Sequence, residues 1–166
     1  MPHLAELGAI EVIGTAGNDA LSGRDQAVIF GRQGQDALTS DGNLSSDQWF
    51  FGGSGSDRYV VRPGTSVFVG DGFGSSGDVL RSRGIGFEQP YTVFAEVEGR
   101  HLLILDFESL TNVMILDWLR PERAIERLEL ADGSRTLSAR RDPFARQLRR
   151  QLHARGDLCR RPARGG

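Results

Sequence analysis

The sequence predicts an all-β fold. Its centre is a short parallel β-roll with about two strands per turn of about 18 residues. An antiparallel β capping region continues it, and a helical or disordered Arg-rich tail ends the chain. Three observations carry this expectation. Loops of the form G-x-x-G-x-D begin at Gly14, Gly31 and Gly52, so their first glycines lie 17 and then 21 residues apart. Each loop runs straight into a short apolar strand, and a second apolar strand follows half a turn later. Glycine supplies 22 of the 166 residues, and 18 of those precede residue 100. Without a Gly-X-Y period, such enrichment points to turn-dense β structure.

Taken in order, residues 1–13 form a lead-in in which Leu4, Leu7, Ile10 and Val12 would make a short helix or strand over the open end of the roll. Such ends need covering because they expose apolar surface and unpaired backbone. The roll spans residues 14–80. Its first loop reads GTAGNDALS from Gly14, its second GRQGQDALT from Gly31, and its third GGSGSDRYV from Gly52. Only the third carries the second glycine of the pattern G-G-x-G-x-D-x-U-x. The strands Ala27 to Phe30 and Trp49 to Phe51 occupy the opposite side of each turn. There Gly23 to Gln26 and Ser40 to Asp47 lack the loop spacing and read as ordinary turns. A looser fourth rung follows, from Ser66 to Val69 and then through Asp71 and Asp78 to Leu80.

From residue 81 to 138 glycine thins out. Antiparallel strands are expected over Tyr91 to Glu96, Leu102 to Asp106 and Val113 to Trp118, with Glu98-Gly99 as a hairpin turn. Ala131-Asp132-Gly133-Ser134 signals another hairpin. Residues 139–166 are the tail. Asp142 as N-cap and Pro143 as first helical residue predict a helix to about Ala154, with Phe144, Leu148 and Leu152 as a narrow apolar stripe.

The loop chemistry is that of a hard-cation site. Tight curls that aim carbonyls inward need backbone conformations glycine adopts easily. Asp19, Asp36 and Asp57 add carboxylates, the oxygen ligands that calcium prefers. Residues one turn apart stack, so these aspartates should line one edge as a ladder, with Asp71 and Asp78 continuing it. Asp25, Asp41 and Asp47 fit better as turn residues that cap their own backbone.

Residues 14–80 resemble the RTX, or haemolysin-type calcium-binding, repeat family. Residues of about 48–138 resemble the haemolysin-type calcium-binding-related domain found beside such repeats. The second likeness rests on Asp57-Arg58-Tyr59-Val60, Val69-Gly70-Asp71, Gly77-Asp78-Val79-Leu80, the Asp117-Trp118 step, and Ile125-Glu126 running on to Ala131-Asp132-Gly133. The resemblance implies a parallel β-roll that folds when Ca2+ enters the loops, in a protein exported by type I secretion. It implies that one loop gives half of each cage and the loop one turn later the other half. The ligand set it implies is Gly14, Ala16, Asn18 and Asp19; Gly31, Gln33, Gln35 and Asp36; Gly52, Ser54, Ser56 and Asp57; and Asp71 and Asp78. Asp19 is then expected to pair with the 31–36 loop, Asp36 with the 52–57 loop, and Asp57 with Asp71 or Asp78. The RTX fold is shared by toxins, enzymes, adhesins and surface-layer proteins, so a parent toxin or enzyme, or a surface partner, is expected.

Composition narrows the rest. Residues 139–166 hold nine Arg and two Asp, while residues 1–138 hold eleven Arg and twenty acidic residues. An acidic body disfavours a specific nucleic-acid partner. No apolar run is long enough for a transmembrane helix. The N-terminus lacks a Sec-type signal, and the C-terminus has no recognisable type I signal. The lone Cys159 excludes an internal disulfide. No Ser/His/Asp set, HExxH or P-loop is present. The expectation is therefore a non-catalytic, secreted calcium-binding module that is an internal piece, a processed form or a small stand-alone protein. Two alternatives stay open: a calcium-dependent extracellular structural or adhesive protein, and a carbohydrate-active β-solenoid enzyme using Asp106 and Asp117.

Overall fold

The computed structural model describes residues 8–43, 47–72, 76–120 and 125–137, together with Gln147 and Arg150 of the tail. The first strands are β1 (Ile10–Ile13), β2 (Ala20–Ser22), β3 (Ala27–Gln33) and β4 (Ala37–Thr39). They continue as β5 (Asp47–Ser54), β6 (Arg58–Val61), β7 (Ser66–Gly70) and β8 (Val79–Ser82). The chain alternates between two sheets, with β1, β3, β5 and β7 side by side in one and β2, β4, β6 and β8 in the other. Every pairing within these two series is parallel. This is the expected parallel roll, with two strands to a coil.

Register explains the uneven loop spacing. Ala20 lies opposite Ala37, Ala37 opposite Arg58, and Arg58 opposite Val79. Coils of 17 and 21 residues stack with their strands still aligned. The four residues by which the second coil exceeds the first lie between β4 and β5, on the side away from the G-x-x-G-x-D loops.

Beyond β8 come β9 (Thr92–Val97), β10 (His101–Asp106), β11 (Thr111–Ile115), β12 (Arg127–Leu130) and β13 (Gly133–Thr136). β9, β10 and β11 form the expected antiparallel run, and β13 folds back antiparallel on β12. However, β11 inserts between β10 and β7 and runs parallel to β7, while β12 runs parallel to β8. The winding thus resumes after a hairpin excursion. Glycine content, which thins out here, did not signal this resumption because it follows from long-range pairing. The lead-in before Gly8 and the predicted tail helix lie outside the described residues, except that Gln147 and Arg150 are helical and exposed.

The core lies between the sheets and follows from alternation along each strand. Leu38, Tyr59, Leu80 and Leu128 stack in register from one sheet, and Ile29, Phe50, Val69 and Ile115 from the other. All are at most 1% exposed. Tyr59, at the large apolar position of the third loop motif, belongs to this stack. Because strands of three to eight residues line it, the core is narrow, and the two lateral edges of the roll bear much of its structure.

Candidate metal centre

One lateral edge is made by the turns that carry the chain from the first sheet to the second. The G-x-x-G-x-D loops lie here, and their stacking is close. Gly34 and Gly55 have φ of +124° and +128°, a region that side chains rarely adopt. A Cβ at Gly34 would lie 2.5 Å from the Gly17 carbonyl oxygen, and a Cβ at Gly55 would meet that of Gly34. Each loop therefore seats its carbonyls against the glycines of the next.

The aspartates form a ladder along this edge. The Asp19 N–H donates to Asp36 Oδ1 (2.8 Å), Asp36 N–H to Asp57 Oδ1 (2.9 Å), and Asp57 N–H to Asp78 Oδ1 (2.6 Å). The last step is made by Glu126, whose Oε2 accepts from Asp78 N–H at 2.6 Å. Each carboxylate thus reaches back one coil. The expected contact between Asp19 and the 31–36 loop is made by the Asp19 backbone. Its carboxylate instead closes its own loop through Thr15 N–H and Oγ1.

Only one oxygen of each ladder carboxylate is used in this way. Asp36 and Asp57 are 2% and 1% exposed, and their Oδ2 atoms are buried without a hydrogen-bond partner. A Cβ at Gly31 would meet both Asp36 Oδ2 and the Gly52 carbonyl, and one at Gly52 would meet Asp57 Oδ2 and the Tyr59 hydroxyl. At Gly14 the same position lies 2.6 Å from the Gly31 carbonyl oxygen and 2.9 Å from Asp19 Oδ2. The first glycine thus faces converging carboxylate and carbonyl oxygens at Gly14 and Gly31, and a carboxylate with a phenol hydroxyl at Gly52. A buried carboxylate oxygen left this way is unfavourable unless a cation or a proton meets it. The donor set, hard oxygens from two adjacent coils, fits calcium.

The densest point lies between the third and fourth coils. Carboxylate oxygens of Asp57, Asp71 and Asp78 lie within 4.8 Å of one another. Tyr59, a core residue by sequence, also takes part: its hydroxyl accepts from Gly52 N–H (3.0 Å) and donates to Asp71 Oδ1 (3.2 Å). Two full charges at such a distance repel by roughly 3 kcal/mol at an effective dielectric of about 20. Burial, followed by the neighbouring Asp78 and Asp36 charges, pushes the Asp57 carboxyl up to about 6. Burial also holds the Tyr59 phenol well above its usual range, with Asp71, Asp57 and Asp78 adding to the effect.

The other expected ligands divide by position. Asn18 accepts from Gln35 N–H at 2.8 Å, so it ties two loops together with its side chain. The Ser54 carbonyl accepts from Gly34 N–H at 3.0 Å, and Ser56 Oγ donates to the Ser76 carbonyl. Ala16, Gln33 and Gln35 are exposed. Sequence reasoning missed Glu126. The signal for it, Ile125-Glu126 before a strand, is 48 residues from Asp78 and reaches it only because the winding resumes.

The remaining acidic residues lie elsewhere. Asp41 caps Asn43 N–H and Asp25 N–H, both at 2.9 Å, on the opposite edge. Asp106 pairs with Thr111 at one end of the β10–β11 ladder, whereas Asp117 follows β11 at the other end. Burial raises both carboxyls, but their partners more than offset it. Ser109 and Thr92 hold Asp106 below its usual range, and Arg100 does the same for Asp117. These two carboxylates close turns and do not form a pair.

No helix among the described residues is long and apolar enough to cross a membrane. No family model matches this chain, and no curated protein matches it.

Proposed function

We propose that this chain is a calcium-binding, non-catalytic β-roll module of the RTX type, part of a secreted protein, that folds as Ca2+ enters between successive loops. One observation carries the proposal. The buried Oδ2 atoms of Asp36 and Asp57 have no hydrogen-bond partner, and each faces the first glycine of its own loop, Gly31 and Gly52. Asp36 with the carbonyls of the 31–36 and 52–57 loops would hold one ion, and Asp57, Asp71 and Asp78 would hold another. Bound there, the ion would supply positive charge among the clustered carboxylates. The protein's own part is to align carboxylates and carbonyls by stacking its coils.

The narrow core makes this coupling effective. An ion that binds only the folded chain adds its binding free energy to stability, about 2.7 kcal/mol per site at a hundred-fold excess over Kd. Extracellular modules bind calcium at about 10⁻⁴–10⁻³ M, so export would bring such a module from calcium-poor to calcium-rich conditions. Circular dichroism and thermal melts in chelator and in millimolar calcium test the proposal. Calcium should raise β signal and melting temperature, and Asp36→Ala with Asp57→Ala should abolish both gains. An equally ordered and equally stable protein in chelator would defeat it.

A further inference from the structure

We infer that the outer face of the seven-stranded sheet is a docking surface for a second copy of this chain, packed sheet against sheet. The two outer faces of the roll differ. On the six-stranded sheet the outward row runs Thr39, Val60, Arg81 and Glu129, so it carries charge at its centre. On the seven-stranded sheet two registered rows are apolar: Phe30 beside Phe51, and Trp49 beside Phe68, Met114 and then Leu103. All six are partly exposed, Trp49 by 37%, and β-strand alternation turns them away from the core. Among the described residues no strand covers them. A contiguous apolar strip of this kind marks an interaction surface.

Its geometry selects the occupant. Trp49 and Phe68 stack at 4.1 Å with 7° between their planes, and Phe30 and Phe51 at 5.3 Å with 14°. Rings stacked this way turn their faces to each other and offer edges outward. A sugar chain stacks on ring faces, so the strip is not built as a glycan platform. Neither row carries a charge between its ends, which disfavours nucleic acid and charged peptides. An uncharged apolar sheet face suits another such face, packed about 10 Å away. The rows cross five strands of about five residues, roughly 24 by 17 Å, or about 800 Å² over both copies. An interface of that size is a weak one, so the dimer belongs at high protein concentration.

Charge at the margins sets the orientation. Asp47 opens β5 at one end of the rows, and Arg32 follows Phe30 at the other; both are exposed. A two-fold axis along the stacking direction of the coils reverses the strands across the interface. It brings Asp47 of one copy over Arg32 of the other, and the contact is isologous.

Sedimentation velocity of the full chain, with and without calcium at up to about 100 μM, tests the inference. The expected result is a dimer of twice 18.2 kDa. Trp49→Glu should make it monomeric without changing the circular dichroism. Asp47→Arg should weaken it about tenfold, and Asp47→Arg combined with Arg32→Asp should restore it. A monomer throughout overturns the inference, as does a dimer indifferent to Trp49→Glu. Blue-shifted Trp49 emission in a monomeric Trp118→Phe variant also overturns it, by showing the face covered from within. The inference is independent of the calcium proposal: a calcium response without a dimer, or a dimer without a calcium response, separates the two.

Discussion

The two lateral edges of the roll solve the same stacking problem with opposite chemistry. On one, carboxylates step from Asp36 through Asp57 and Asp78 to Glu126, each accepting a backbone N–H from the coil before it. On the other, hydroxyls link the coils. Ser40 accepts from Arg62 N–H at 2.8 Å and lies 3.2 Å from Thr65 Oγ1, and Thr111 Oγ1 accepts from Gly64 N–H at 3.1 Å. A hydroxyl both donates and accepts, so these links carry no charge, although the buried side chains of Gln48 and Ser82 on this side have no hydrogen-bond partner. An ionised carboxylate only accepts, so a ladder of them accumulates charge and leaves oxygens to spare. The difference teaches that one edge joins its coils with neutral groups while the other gathers negative charge.

The largest expected effect that would break this comparison is the response to pH. The Asp57 carboxyl is raised from 3.8 to about 6, so in metal-free protein the fold favours its protonated form. That contribution is fully present below pH 3.8 and is lost as pH rises through about 6. Metal-free stability should therefore fall over this window by up to about 3 kcal/mol. Calcium stabilisation should grow over the same window, as protons cease to compete. Asp57→Asn keeps an acceptor for Asp36 N–H but removes the charge. It should flatten the metal-free profile and blunt the calcium response, both read from urea melts. A wild-type profile unchanged by the substitution would place the charge problem elsewhere.

On the opposite edge, Thr65→Val should cost about 1–2 kcal/mol, because Thr65 is fully buried and its hydroxyl also donates to the Arg62 carbonyl at 2.9 Å. The loss should be the same with or without calcium and at any pH from 4 to 8, as measured by parallel denaturation curves. A calcium-dependent loss would mean that the edges are coupled.

The smallest effect sharpens the comparison within the acidic edge. Arg32 stands where the third loop has Gly53, and its φ of +83° lies in the region that favours glycine. A Cβ at Gly53 would in turn meet the Arg32 carbonyl, so the backbone at Arg32 is fixed by the coil above it. Arg32→Gly should stabilise the fold by about 0.5–1 kcal/mol, the strain relief being partly offset by a more flexible unfolded chain. Thermal melts of dilute protein would show it, and a loss would mean that the Arg32 side chain contributes more than its backbone strain costs.

Much of this was legible in the residues. The three loops, the strands that leave them and the stacked position of Asp19, Asp36 and Asp57 follow from glycine spacing and alternation. The role of Tyr59 was only half visible: its apolar ring reads as core, but its hydroxyl meets Asp71 only once the fourth coil is in place. Glu126 was invisible as the end of the ladder, since a hairpin excursion separates it from Asp78.

By itself the sequence determined the local geometry: where the chain curls, where it extends, and which side chains turn inward. These depend on backbone preferences and a two-residue period that act within a few positions. Only the tertiary structure decided that β11 enters beside β7, that each carboxylate reaches back one coil, and that one outer face is apolar and aromatic across several strands. Those features arise from pairing between distant segments, whose register no short stretch of chain contains.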